Sequence, residues 1–482
     1  MRLMRVAVIA DFREEHWPSM DLVAEMLVEQ LQCEYGNRVE VTKVCPTMNR
    51  RFTSGQRAKG EEESGRTFNA DRFLNRYWDY PRYIRRIRKD FDLFHVVDHS
   101  YSQLVHELLA ERTIVTCHDL DTFKCLLQPE QEPRSILFRA MMKRTLSGFR
   151  KAAFVTCPSE ATLDQILEHK LISADRLAVV PNAVHPSCSA KPNAVADYEA
   201  EKLLTTEDTE EGKQRQPGSR QKAKGRKQRS EIRDQRSEVR NQKSHVGDQR
   251  SENAENDGFE TSYSQIELRD SKFDIRKSNI DLLHVGSTIP RKRIDLLLRV
   301  LAEVKRTFPS ARLLRVGGPF TNEQEQLARE LNVRDSIVVL PYLDRDVLAA
   351  VYRRATLVLL TSEREGFGLP IIEALACGTP VVASDLAVLR EIGSDAVEYC
   401  ALTDIDAWAR TITALMNERT ADRDQWTRRK ERALTQAQRF SWAEYARATV
   451  EIYQRVLSAT EVVPSKQAVS VRHAPNLLGP TT

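Results

Sequence analysis

The sequence contains no run near the ~18 consecutive apolar residues of a membrane span. Any membrane contact is therefore expected to be peripheral. The opening stretch, MRLMRVAVIADF, has too short an apolar run for a signal peptide and reads as a first strand. Eight cysteines (33, 45, 117, 125, 157, 188, 377 and 400) are scattered without a CxxC pair or a ligand-like cluster. Several sit in apolar runs such as VTCHDL and EALACG, where cysteine acts as a small buried hydrophobe. This usage fits a reducing, cytoplasmic setting. Metal and nucleophile motifs are missing too: no HExxH, no EF-hand loop, no DxD carboxylate pair in a plausible site, no GxSxG and no P-loop. No metal and no resident cofactor are expected.

What is present is a long, ordinary globular composition, 482 residues with 41% apolar and 29% charged. That length exceeds one core and predicts two domains plus extras. The formal charge of +4 is unevenly spread, because Lys213–Arg250 alone holds 13 Lys and Arg against 4 Asp and Glu. The rest of the chain is net acidic, so the basic balance belongs to one segment.

That segment lies where the folding pattern collapses, over 187–278. Its core is a seven-residue repeat (QRSEIRD, QRSEVRN, QKSHVGD, QRSENAE) starting at Gln228, Gln235, Gln242 and Gln249. A coiled coil needs apolar residues at two positions per heptad. Here each unit offers at most one, Ile232, Val239 or Val246, and the fourth has Asn253. Such a strip cannot offset its ordering entropy and predicts a disordered basic insertion. A solvated linker is favoured over nucleic-acid or acidic-surface binding.

On either side, strand-like and helix-like patterns alternate, which predicts parallel sheets with crossover helices. In 1–186, RVAVIADF, RVEVTKV, DLFHVVDHS, TIVTCHDL, AAFVTCPSE and RLAVVPNAV read as strands, most turning polar at their carboxyl ends. Such ends line the ligand crevice of open α/β sheets. His95, Asp98, His99, His118 and Asp119 stand there or close by. A second series occupies 279–440, and Ser441 is a plausible N-cap for an amphipathic helix over 441–460, followed by a polar tail at 461–482.

Within the second series, TLVLLTSEREGFGLPIIEALACGTPVVASD runs strand, loop, helix, strand. Pro370 suits a first helical turn, and Gly366 and Gly368 permit sharp turns and close ligand approach. Unpaired N–H groups of that turn form an anion site. Glu373, one turn in, suits the positive helix end and can accept hydrogen bonds from a vicinal diol such as a ribose. Glu365, on the loop, is free to bind hydroxyls of a second group.

The block EGFGLPIIEALACGTPVVASD resembles the signature of glycosyltransferase family 4, whose fold is GT-B. The likeness extends through LLHVGSTIPRKRIDLLL, LLRVGGPF and VYRRATLVLLTS, and more weakly into VVPNAV and TCHDL. It implies an α/β architecture of two Rossmann-like doubly wound domains facing a cleft, an acceptor domain over 1–186 and a nucleotide-sugar donor domain over 279–440. The final helix is then expected to pack back toward the N-terminal domain.

The implied activity is sugar transfer from a nucleotide-diphosphate sugar to a hydroxyl of a glycan, lipid-linked or small-molecule acceptor, with retention and without metal. By the same resemblance Glu365 contacts donor-sugar hydroxyls, Glu373 holds the ribose, and the backbone of Gly366, Phe367, Gly368 and Leu369 approaches sugar and diphosphate. Lys292 matches the family's diphosphate lysine, and His118 matches a histidine beside the donor sugar. Glu365, His118 and Lys292 are thus the expected catalytic group.

Two departures stand out. Ser287 occupies the place of a diphosphate-binding arginine, with Arg291 or Arg293 as out-of-register substitutes. The first βα loop, ADFREEHWPSM, lacks the glycine pair of many relatives, and its His16 and Trp17 are candidates for an acceptor pocket. These departures keep a non-catalytic nucleotide-sugar-binding protein open as the alternative, with a glycan phosphorylase or sugar-nucleotide epimerase behind it. Basic and apolar residues mixed over 82–91 and 139–151 fit either a solvated crossover helix or a peripheral contact with anionic membrane.

Overall fold

The computed structural model of the protein describes residues 3–53, 66–205 and 280–461. Six strands form the first sheet: β1 Met4–Ile9, β2 Val39–Val44, β3 Leu93–Val96, β4 Thr113–Thr116, β5 Phe154–Cys157 and β6 Leu177–Val179. Six more form the second: β7 Ile280–Val285, β8 Ala311–Val316, β9 Ile337–Leu340, β10 Leu357–Leu360, β11 Val381–Ser384 and β12 Val397–Cys400. The orders are β2-β1-β3-β4-β5-β6 and β12-β11-β10-β7-β8-β9, and every pairing is parallel.

Parallel strands buried on both faces need continuous apolar sequence. In β1 the alternation of side chains sends Ala7 and Ile9 to one core and Val6 and Val8 to the other. The second sheet divides likewise, with Leu283 and Leu314 in one core and Leu282 and Leu313 in the opposite one. Strand order reverses direction between β1 and β3 and again between β10 and β7. Loops leaving the carboxyl ends of strands at such a reversal flank an open crevice.

The helix Trp442–Glu461 returns to the first sheet, as Trp442, Tyr445, Val450, Tyr453 and Val456 pack with Val6, Val8 and Ile114. Its start is fixed by the Ser441 Oγ, which accepts the Glu444 N–H at 3.2 Å. Its Tyr453 hydroxyl lies 2.8 Å from His95 Nδ1, and Thr116 Oγ1 lies 2.8 Å from Nε2. His95 is therefore a fully buried residue of β3 with two internal partners, rather than a residue of the crevice. Burial pushes its pKa down to about 3.

The loss of pattern expected from 187 sets in later. A helix spans Ala194–Thr205, and its Ala196, Ala200 and Leu204, four residues apart, pack into the second sheet's core. Arg353 holds Asp197 at 2.6 Å. This short stripe of two alanines and one leucine carries too little hydrophobicity to stand out in a charged sequence. The heptad repeat and the polar tail expected over 461–482, apart from Glu461, lie outside the described residues.

Both segments weighed as a solvated crossover helix or a membrane contact turn their apolar sides inward. Tyr80 and Ile84 are buried in the helix Tyr80–Ile87, and Met142, Leu146 and Phe149 in the helix Ile136–Lys151. Ile136 and Leu137, at the start of the latter, stay exposed at 89% and 67%. Among the described residues no helix is long and apolar enough to cross a membrane.

Candidate active site

The loops after β7 and β10 meet at the reversal in the second sheet. The first makes a tight turn over Pro290–Lys292 and ends at Arg293 with φ 49°. Backbone and side chain then tie it to the second loop. Glu363 N–H donates to Arg291 O at 2.8 Å, and Thr361 Oγ1 donates to Lys292 O at 3.0 Å. These ties bring Lys292 Nζ to 2.5 Å from Glu365 Oε1, where Ser362 Oγ also donates at 2.7 Å. Arg291 reaches the other oxygen, Oε2, at 3.3 Å.

The Glu365 side chain is only 8% exposed. Burial alone would raise its pKa, but the charges of Lys292 and Arg291 outweigh it and the net shift is downward. Glu365 is thus an ionised acceptor held from three sides, suited to positioning hydroxyls and unsuited to giving up a proton. Glu373 is its opposite. Burial pushes its pKa up, only partly offset by the Tyr352 hydroxyl, which donates at 2.7 Å.

Between the two acids the chain passes close to the first domain. A Cβ on Gly366 would stand 1.7 Å from the His118 carbonyl oxygen, so no other residue fits this approach. The Gly366 carbonyl accepts from Ser159 Oγ at 2.8 Å and Thr162 Oγ1 at 3.2 Å. Gly368, at φ 97°, then caps the helix Leu369–Ala376 and places Pro370 in its first turn. The Phe367 ring turns away, edge-on to Phe440 at 5.7 Å and 5% exposed, so this residue offers its backbone alone to a ligand. Ser287 and Leu369 are half-buried beside these loops.

His118 stands two residues past β4. Its Nε2 lies 2.7 Å from Val97 O, a pure acceptor, so Nε2 carries the proton and Nδ1 is the free acceptor. Burial lowers its pKa despite the nearby Asp98 carboxylate. Asp98 accepts the Ser100 N–H at 2.8 Å and lies 3.3 Å from His99.

Sequence reasoning missed Asp11. It stands two residues past β1, 3% exposed, against Asp98, with no hydrogen-bond donor reaching either of its oxygens. Burial and the Asp98 charge push its pKa well up. The signal was available, since IADF turns from apolar to acidic as HVVD does. His16 and Trp17, further along that loop, are exposed.

Contacts between the halves continue around the site. Asp121 pairs with Arg291 at 3.3 Å and Arg364 at 3.2 Å. Glu391 accepts the N–H groups of Glu160 and Ala161, at 2.8 and 3.2 Å, capping the helix Glu160–Glu168 from the other domain. Arg291 is thus engaged by Glu365, Asp121 and the Arg364 carbonyl, which accepts at 3.0 Å.

Two six-stranded parallel sheets, each with one reversal of strand order and with loops that meet across the two halves, define a two-domain fold of the GT-B type. Residues 24–187 match the model of Glycosyltransferase Family 4 and residues 265–433 that of Glycosyl transferases group 1. These matches together span more than half of the chain, which belongs to this glycosyltransferase family.

Its relatives include the D-inositol 3-phosphate glycosyltransferases of Mycolicibacterium smegmatis and Nocardia farcinica. They are 36% identical over 182 and 183 residues, which is 36% of this chain and 40% of each relative. The matched region is therefore about two fifths of those relatives' length. Among solved structures, sucrose-phosphate synthase from Thermosynechococcus elongatus has a TM-score of 0.59 at 17% identity, covering 95% of this chain and all of that one. HepE of Anabaena in complex with UDP has a TM-score of 0.57 at 14% identity, covering 94% and 100%. These likenesses show the fold.

Proposed function

We propose that the protein transfers a sugar from a nucleotide-diphosphate sugar to an acceptor hydroxyl, with retention of configuration and without a metal. The observation that carries this reading is the Lys292–Glu365 pair at the reversal of the second sheet, with Gly366 against His118. In this reading Glu365 holds donor-sugar hydroxyls, Glu373 the ribose, and Lys292 the diphosphate. Departure of the nucleoside diphosphate leaves negative charge on its β-phosphate. Lys292 and the N–H groups opening the helix Leu369–Ala376 stabilise that charge. The leaving phosphate takes the acceptor proton on the same face, so retention needs no protein nucleophile. His118 Nδ1 accepts a donor-sugar hydroxyl.

Support also comes from the relatives. The curated ones are by name D-inositol 3-phosphate glycosyltransferases, and HepE has been crystallised with UDP and with UDP-glucose. A nucleotide sugar is accordingly the donor class proposed here. Peripheral contact with anionic membrane, if this chain makes it, would run through exposed Ile136 and Leu137 beside Arg134 and Arg139. Sedimentation with anionic vesicles, unchanged on replacing Ile136 and Leu137 with serine, removes that part of the proposal.

The test is a thermal-shift screen of nucleotide sugars, since a bound donor raises stability. Turnover with and without EDTA and NMR of the product anomer should follow. Glu373→Ala should weaken donor binding about tenfold. Binding without turnover across a panel of hydroxyl acceptors would favour a non-catalytic binding protein.

A further inference from the structure

Arg315 is the last residue but one of β8 and has no solvent exposure. Its Nη1 donates to the neighbouring Val316 carbonyl at 2.7 Å and its Nη2 lies 3.5 Å from Gly317 O, while Nε has no partner. No carboxylate among the described residues pairs with it. Three residues earlier on the same strand, Arg312 shows what a structural arginine does here, with Asp281 held at 2.5 Å. Arg429, also buried, has Glu418 at 2.8 Å and Glu398 at 2.7 Å. A buried cation without a counter-charge is costly, and its persistence points to an anion that arrives later.

The surroundings say where that anion would come from. Arg315 is the register partner of His284 on β7. His284 is likewise fully buried, and neither of its ring nitrogens reaches a partner in another residue. The loops following the two strands touch, since a Cβ on Gly317 would stand 2.1 Å from Gly286 O. The same Cβ would be 3.1 Å from Arg315 Nη1, which puts the guanidinium at that junction. A Cβ on Gly286 would lie 3.4 Å from the His284 ring and 3.7 Å from the Lys292 chain. Gly286 thus lies at a junction of a guanidinium that has no carboxylate, an imidazole without a partner and the lysine stem.

We propose that Arg315 binds the diphosphate of a nucleoside-diphosphate donor, supplying from beneath the Gly286–Ser287 loop the guanidinium that position 287 lacks. This deepens the donor reading given above and rests on it. Arg291, the substitute nearest in sequence, is already engaged by Glu365, Asp121 and the Arg364 carbonyl. Lys292 remains the second cation of the pair. Arg315 keeps its charge at neutral pH even though burial pulls its pKa down to about 10. His284 is pushed down by burial and by its two cationic neighbours, so it meets the anion as a neutral donor.

The test compares wild type with Arg315→Met and Arg315→Lys by thermal shift and calorimetry. The probes are UDP, GDP and ADP, the matching nucleosides, and inorganic pyrophosphate. The expected result is that Arg315→Met raises the melting temperature of the unliganded protein. It should weaken the preferred nucleoside diphosphate by about 10- to 100-fold and leave the nucleoside unaffected, with Arg315→Lys intermediate. If Arg315→Met does not fold, Arg315→Lys is read on the same scale, and unchanged diphosphate affinity in it overturns the proposal. A lowered melting temperature with unchanged diphosphate affinity also overturns it, making Arg315 a brace for the Val316 and Gly317 carbonyls. Wild type that binds pyrophosphate through Arg315 but no nucleoside diphosphate upholds the anion site and sinks the donor reading. Wild type that binds neither sinks both.

Discussion

At the β1–β3 break the side chains reaching the carboxyl end of the sheet are Asp11, Asp98 and His118. At the β10–β7 break they are Glu365, Arg291 and Lys292. Both sheets are wholly parallel and reverse their strand order once, after two strands in the first sheet and after three in the second. The charge chemistry differs. Each of these three groups at the second break has an opposite charge within 3.3 Å. In the first, two carboxyl groups lie side by side and no donor reaches Asp11. The Lys292–Glu365–Arg291 cluster is neutralised from within, whereas the first break holds an acid beside a like charge and without a hydrogen-bond donor. Fold alone therefore cannot assign roles to the two halves, and the side chains at the breaks must.

Breaking the neutralised cluster should have the largest effect. Lys292→Met leaves Glu365 buried beside Arg291 alone and should cost roughly 3–5 kcal/mol, measured by denaturant unfolding. Adding Glu365→Gln should restore most of that stability without restoring nucleotide affinity. If the double variant is as unstable as the single, the pair is not the unit described. Gly366→Ala should come next, because its methyl must displace the His118 carbonyl. A loss of about 2–3 kcal/mol and on the order of 100-fold in turnover is expected. A variant matching wild type in both would show that the halves do not need this approach.

The comparison also predicts opposite pH behaviour. Folded His95 refuses a proton down to about pH 3, while the unfolded chain takes one below the ordinary histidine value of 6.5. Its contribution is complete above 6.5 and is lost as pH falls, by about 2 kcal/mol between pH 7 and pH 5. His118, also lowered, adds in the same direction. Glu373 is raised, so its effect runs the other way, stability falling as pH rises above its ordinary 4.5. His95→Gln should flatten the rise in unfolding free energy from pH 5 to 7, and Glu373→Gln should steepen it. The smallest effect should come from Asp121→Asn at the rim, about 1 kcal/mol or less and weaker still in high salt.

Much of this was legible in sequence because it is local. Continuous apolar strands ending in polar residues gave both sheets, and the glycines, Pro370 and two acids of one eleven-residue stretch gave the loop-to-helix turn. What escaped depends on distant partners. His95 looked like a crevice residue until Tyr453, 358 positions away, claimed its Nδ1. Arg291 looked free until Asp121 crossed from the other half. Arg315 could not be singled out, since an arginine on a strand is ordinary unless its missing counter-ion is seen. The helix Ala194–Thr205 was hidden because two alanines and a leucine, Ala196, Ala200 and Leu204, with Leu203 beside them, make up the apolar side it packs against the core.

The return of the helix Trp442–Glu461 to the first sheet also bears on how the chain matures on the ribosome. Val6, Val8 and Ile114 obtain part of their cover from Trp442, Tyr453 and Val456. At about 5–20 residues per second, translation reaches that helix on the order of tens of seconds after β6 has emerged. During that interval the first sheet presents an unfinished apolar face while the second is being made. The first half to be synthesised is the last to be completed.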